Sequence, residues 1–244
     1  MVERAESKPR ANRKNDGFSG VDAVERALTL LDTFNSGDSM LTLKELSERS
    51  KLTKTTILRL SVSLEKFSYL VKDAEGLYHL GPMLWRLGSL FRHNLNLESI
   101  IKPVLEDLVA QTEESASFYI PRGDYGICLY RVNSNRLARD HVEAGDIIPL
   151  GLGSAGHVLK AFSGSSDALS SKIRKERTYL SMGERDPDVA GVSSAIIGPD
   201  GEVIGALSLS GLLTRFDEER VELYRTLMLK AAKGIEHSVG NDGS

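Results

Sequence analysis

The sequence has no apolar run near the roughly 18 residues needed to cross a bilayer. One of its more apolar stretches, Ile147 to Leu152, is short and bounded by glycines, so no membrane partner is expected. Cysteine is almost missing: the single Cys128 excludes an internal disulfide and any site built from several thiolates. It sits in an apolar strand pattern, which reads as a structural thiol rather than a nucleophile. The five histidines show no metal-ligand spacing, and neither G-x-S-x-G nor H-E-x-x-H occurs. No catalytic residue, no metal site and no cofactor is therefore expected. The first twenty residues lack the apolar core of a secretory signal, which points to the cytoplasm.

What is present is an ordinary globular composition, 41% hydrophobic and 27% charged over 244 residues, enough for one large domain or two modest ones. The net charge of -3 does not advertise a nucleic-acid binder. A global balance can hide a local patch, so the distribution decides.

Residues 1–19 are polar and basic with little apolar surface, and read as a disordered arm. A helical period begins at Val21, with Val24, Ala27, Leu28, Leu30 and Leu31 as its apolar face, and ends at Ser36-Gly37-Asp38. Thr42 caps a second helix, with Glu45 completing a capping box and Leu43 and Leu46 facing inward. After the turn Ser50-Lys51-Leu52-Thr53, a third helix runs from about Lys54 to Phe67, with Ile57, Leu60, Val62 and Leu64 as apolar contacts. Two short strands, Leu70–Lys72 and Leu77–Leu80, flank the turn Asp73-Ala74-Glu75-Gly76. Three helices followed by a hairpin is the element order of a winged helix-turn-helix, placed at residues 20–81.

Gly81-Pro82 marks a boundary, and residues 82–97 read as a linker helix. Apolar residues on more than one side of it suggest contact with another helix, of its own chain or of a second subunit. Residues 98–240 alternate helices and strands as an α+β domain. Helices are expected near 98–112, after Gly156, near 167–177 and after the cap Asp217. Strands are expected at 117–120, 126–132, 139–143, 192–197 and 203–209.

Between Arg49 and Lys72 stand Arg49, Lys51, Lys54, Arg59, Lys66 and Lys72 against Glu65 alone, a local charge of +5 in an acidic chain. Clustered cations release counterions from DNA phosphates and supply sequence-independent affinity. Thr55 and Thr56 can reach phosphates or base edges, and Arg59, one turn on, can pair with a guanine edge. Arg26 on the first helix can touch the backbone. A solvated helix face is the plain alternative for each.

Gly151-Leu152-Gly153-Ser154-Ala155-Gly156 spells G-x-G-x-x-G, but Pro149 and the late position argue against a dinucleotide fold. Glycines opening a helix still expose N–H groups that favour an anion, with Ser154 and His157 beside them. A tight turn is the competing reading. Ser208 and Ser210 alternate with Leu207 and Leu209 and so share one face of their strand. Ser181 and Glu184 fall on a loop able to close a pocket.

These segments together resemble the IclR family of transcriptional regulators. Val24-Glu25-Arg26-Ala27-Leu28, Leu43-Lys44-Glu45-Leu46-Ser47, Leu52-Thr53-Lys54-Thr55-Thr56 with Arg59-Leu60, and Tyr78-His79-Leu80-Gly81 are similar to its DNA-binding half. Ile148-Pro149-Leu150, Ser154-Ala155-Gly156, Ser181-Met182-Gly183-Glu184, Val189-Ala190-Gly191-Val192 and Ala206-Leu207-Ser208-Leu209-Ser210-Gly211 are similar to its sensing half.

The resemblance implies a homodimer or homotetramer on double-stranded operator DNA. It also implies a GAF-like domain for a small organic, often carboxylate-bearing, effector, held by Ser154, Ala155, Gly156, Ser181, Glu184, Val189, Gly191, Ser208 and Ser210. His157 stands where a lysine is common, and Gly191 where many members place a cysteine. A small-molecule enzyme or sensor with a protein-binding N-terminal domain is the alternative function.

Overall fold

The structure is a computed structural model that describes residues 20–35, 37–95 and 97–241. The arm expected at 1–19, and Ser36 at the end of the first helix, lie outside the described residues. The chain divides into two compact units on either side of the Leu87–Gly88 bond.

In the first unit, α1 (Asp22–Leu31), α2 (Leu43–Ser50) and α3 (Lys54–Lys66) precede β1 (Leu70–Lys72) and β2 (Tyr78–Leu80). Leu30, Leu41, Leu46, Ile57, Leu64, Leu70 and Tyr78 form its buried core. The capping box is in place: Glu45 N–H donates to Thr42 Oγ1 at 3.2 Å, and Thr42 N–H donates back to Glu45 at 2.8 Å. The turn into α3 is fixed by hydroxyls, Ser47 bonding the Leu52 carbonyl and Ser50 receiving the Leu52 N–H. Gly81 closes the wing because only hydrogen fits: a Cβ there would stand 2.1 Å from the Ser68 carbonyl oxygen. Val62, expected as an apolar contact, instead points to solvent, as do Val24 and Leu28 on α1.

Helix α4 (Pro82–Leu95) crosses the division, and α5 (Leu97–Thr112) follows, running through Pro103. The second unit contains β3 (Ser115–Arg122), β4 (Tyr125–Val132), β5 (Ile147–Pro149), α6 (Gly153–Phe162), α7 (Ala168–Glu176), β6 (Thr178–Met182), β7 (Val189–Ile197), β8 (Val203–Leu212) and α8 (Glu218–Asn241). Its six strands form one antiparallel sheet in the order β5-β4-β3-β8-β7-β6.

Two strand assignments change. Residues 139–143 form no strand, and the edge pairing with β4 is made by Ile147–Pro149. The supposed loop carrying Ser181 is strand β6, whose short, mixed sequence gave no clear alternation.

The sheet separates two apolar layers. Phe118, Val192, Leu207 and Leu209 face the core shared with α5 and α8, where Ile101, Leu105, Met228 and Ile235 are fully buried. Tyr119, Cys128, Ala195 and Ala206 face Ala155, Val158 and Leu159 of α6. Period-two alternation thus turns Leu207 and Leu209 toward one layer and Ser208 and Ser210 toward the other.

Candidate functional site

Two places in the chain concentrate chemistry, one in each unit. The first is the outward side of α3. Thr53 caps the helix, accepting from Thr56 N–H at 3.3 Å, while the Thr56 hydroxyl lies 2.9 Å from that of Thr53. Thr56 is thereby partly committed to the cap, whereas Thr55 and Arg59 are exposed. Lys51, in the left-handed conformation at φ 61°, ends α2 with its side chain exposed.

Among the described residues, Lys51, Lys54 and Arg59 make no ion pair. Lys72 reaches over the Tyr78 ring at 5.4 Å on the wing. Two members of the basic set are occupied otherwise. Arg49 pairs with Asp38 and bonds the Thr33 carbonyl at 3.0 Å, so it braces the domain. Arg26 pairs with Asp22 at 2.9 Å, four residues earlier on α1.

The second place is a partly open cavity of about 40 Å³ between the sheet and α6. Strand register explains the room. Ser181 pairs with Gly191, which pairs with Ser210; two pairs along, Ser193 faces Ser208, which faces Ser117. Rows of small residues leave a gap below the helix where larger ones would fill it.

Ser154, Ala155, Ser181, Val189, Gly191, Ser208 and Ser210 all line this cavity. Gly156 does not: its α-carbon packs on the Pro149 carbonyl, where a Cβ would stand at 2.6 Å. Glu184 does not line it either. Its carboxylate accepts from the Gly153 N–H and pairs with His157, both at 3.1 Å, and takes the Tyr179 hydroxyl at 2.8 Å. Burial and this bond push the Tyr179 phenol up to about 12. The first amide of α6, expected to attract an effector carboxylate, is thus satisfied from within the chain.

Three polar lining residues were not singled out in the sequence. Tyr119 and Asp140 come from β3 and from the segment mistaken for a strand, and Arg185 from the loop after β6. Asp140 is neutralised by Arg131 at 2.7 Å, with both side chains nearly fully buried, and accepts from Ser210 at 3.0 Å. Arg131 also donates to Ser117 at 2.9 Å. Ser154 receives the Ser193 hydroxyl at 2.8 Å. By contrast, Ser181 and Ser208, 4% and 5% exposed, have hydroxyls with no hydrogen-bond partner among the described residues.

Arg185 makes no ion pair among the described residues and shares the cavity lining with Tyr119. Burial raises the Tyr119 phenol, and Arg185 opposes that rise. Burial also pushes the Cys128 thiol up to about 12, as a structural thiol requires. Among the described residues, no group of three His, Cys, Asp or Glu is placed to hold a metal ion. Nor, among them, is any helix long and apolar enough to cross a membrane.

A winged helix-turn-helix joined to an α+β domain is an architecture of DNA-binding transcriptional regulators. Residues 23–74 match the IclR helix-turn-helix domain. The chain is similar to the HTH-type transcriptional regulator KipR of Bacillus subtilis, 25% identical over 89% of this chain and 96% of that protein. A solved structure of a putative IclR regulator from Silicibacter shares the fold, with a TM-score of 0.76, 23% identity, and coverage of 89% and 96%. An IclR homologue from Microbacterium hydrocarbonoxydans, solved with 4-hydroxybenzoate, gives a TM-score of 0.74, 21% identity, and coverage of 89% and 99%. Residues 23–74 thus carry an IclR-type helix-turn-helix, and most of the chain is similar to transcriptional regulators of that kind.

Proposed function

We propose that this regulator grips double-stranded operator DNA through α3 and the wing, and senses a small organic anion in the cavity below α6. The observation that carries the DNA reading is the outward side of α3, where Thr55 and Arg59 stand exposed beside Lys51 and Lys54, cations with no partner among the described residues. Arg59 reads a base or phosphate, the lysines and Lys72 hold phosphates, and Thr55 and Thr56 supply short donors. Arg26 contributes only if DNA draws it from Asp22.

The cavity supports the sensing role through its charge inventory. Asp140 is compensated by Arg131, and Arg185 is a lining cation with no ion-pair partner among the described residues. A carboxylate meets that cation, while the free hydroxyls of Ser181 and Ser208 and the apolar walls of Val142, Ile148 and Val189 meet its body. The homologue solved with 4-hydroxybenzoate bound a molecule of this chemical kind. Exposed Val21, Val24 and Leu28 on α1, and Trp85, Leu87 and Leu90 on α4, suit burial against a second copy. The protein then acts in the cytoplasm as a homodimer or homotetramer, binding its effector without turning it over.

The test pairs two measurements. Fluorescence anisotropy on DNA from upstream of the gene should show salt-dependent, sequence-selective binding. Thermal-shift screening against aromatic and aliphatic acids should find a stabilising ligand that alters that binding. Absence of selective DNA binding defeats the reading.

A further inference from the structure

The outward side of α3 is not simply cationic. With 100° between successive residues, Thr55, Leu58, Arg59, Val62 and Lys66 fall within one arc, opposite the buried Ile57 and Leu64 and the half-buried Leu60. Leu58 is 43% exposed and Val62 68% exposed, although the unit has an apolar core that takes in every third or fourth residue of this helix. Neither belongs to that core, and a helix needing only solubility and charge has no use for two branched aliphatics there. They sit between Arg59 on one edge and the cations Lys54 and Lys66 at the two ends. That charge pattern commits the face to DNA rather than to an apolar protein surface.

In the major groove the base-pair edges offer donors, acceptors and a single apolar group, the C5-methyl of thymine. We propose that Leu58 and Val62 read thymine methyls, so that operator selectivity is set by apolar contact beside the polar contact of Arg59. Leu58, in the second turn of the helix, reaches the nearer methyl. Val62, one turn further, reaches a methyl on an adjacent step. The inference rests on the DNA-binding reading of α3 and sharpens it: thymine-containing steps are favoured because burying a methyl there removes apolar surface from water on both partners.

The experiment uses the full-length protein and a duplex that it enriches from a random-sequence pool. The enriched duplex is then remade with deoxyuridine in place of thymidine, which deletes only the C5-methyl groups. Wild-type affinity should fall about fourfold for each contacted methyl, the change expected for one methylene-sized group returned to water. Leu58→Ala and Val62→Ala should each bind the thymine duplex more weakly and lose part of the uracil penalty, and the double variant most of it. Both side chains are exposed, so unfolding midpoints should match wild type and rule out a folding defect. Equal wild-type affinity for the two duplexes overturns the inference while leaving DNA binding by α3 intact. A uracil penalty that persists in the double variant also overturns it, assigning the methyls to other residues. If no sequence is enriched from the pool, the DNA-binding reading itself fails, and this inference with it.

Discussion

The carboxylate of Glu184 lies 3.1 Å from the backbone nitrogen of Gly153, the first residue of α6. A glycine-rich helix start invites an anion, and here the chain supplies its own from 31 residues away. The loop after β6 is thereby tied to the roof of the cavity, with Arg185, the next residue, held at its lining. Glu184→Ala should lower the unfolding free energy by about 1 kcal/mol, as for a lost helix cap. It should also speed hydrogen exchange of the Gly153 amide. Glu184→Gln, still able to accept from Gly153, should retain part of both. Denaturant unfolding and exchange measured by NMR check the pair of effects, and an unchanged Gly153 exchange rate would show that the contact does no holding.

The Arg131–Asp140 pair is a second commitment, with side chains 3% and 2% exposed. Asp140→Ala should destabilise the sensing unit by about 3–5 kcal/mol, because it strands a buried guanidinium. Replacing both partners, Arg131→Met with Asp140→Leu, should recover most of that loss. Urea unfolding of the single and double variants reads the difference; equal losses would mean the pair is not coupled.

Gly191 bears directly on cavity size. A Cβ there would stand 2.8 Å from Ser154 Oγ and 3.1 Å from the Leu209 carbonyl oxygen. Gly191→Ala should therefore disturb the Ser193–Ser154 hydrogen bond, worth about 1 kcal/mol, and weaken effector binding about tenfold, or 1.4 kcal/mol. DNA affinity without effector should not move. Calorimetry with the best acid from the thermal-shift screen provides the measurement.

On the wing, His79 Nε2 and Asp73 lie 2.8 Å apart. The hydrogen bond to Asp73 raises the imidazole above its ordinary value of 6.5 and, in return, holds the Asp73 carboxyl below 3.8. A raised histidine stabilises the fold fully below 6.5, and that support is lost as pH climbs through its folded-state value. A lowered carboxylate supports the fold above 3.8 and is lost as pH falls through its own folded-state value. The wing is therefore best held between 3.8 and 6.5 and loosens on the alkaline side. An NMR titration should give His79 a midpoint above 6.5, returning toward 6.5 in Asp73→Asn. Identical midpoints in the two proteins would contradict the coupling.

The N-terminal unit was readable in detail because its signals are local: Thr42 and Glu45 are three residues apart, and the wing turn sits within ten residues of both strands. What escaped there was tertiary. Arg49 looks like any basic residue until the fold brings Asp38 to it, and Val62 looks like core until the helix is rotated. In the second unit, the serines of β8 were legible from alternation alone. Asp140 and Arg185 were not, since each lies in an irregular segment that only the sheet's register carries to the cavity. Glu184 was noticed for its place in a motif, yet its partner Gly153 belongs to another element entirely.

Arg59, exposed on the outward side of α3, is where DNA binding meets its most direct test. Anisotropy titrations of wild type, Arg59→Ala and Lys54→Ala on an upstream duplex and a scrambled duplex, at several salt concentrations, separate base reading from phosphate holding. Arg59→Ala should weaken binding to the upstream duplex about tenfold or more and narrow its margin over the scrambled one. Lys54→Ala should weaken both duplexes alike and lower the salt slope by about 1. Wild-type binding that ignores sequence, or affinities untouched by either substitution, would contradict the assignment of α3 as the DNA-reading helix.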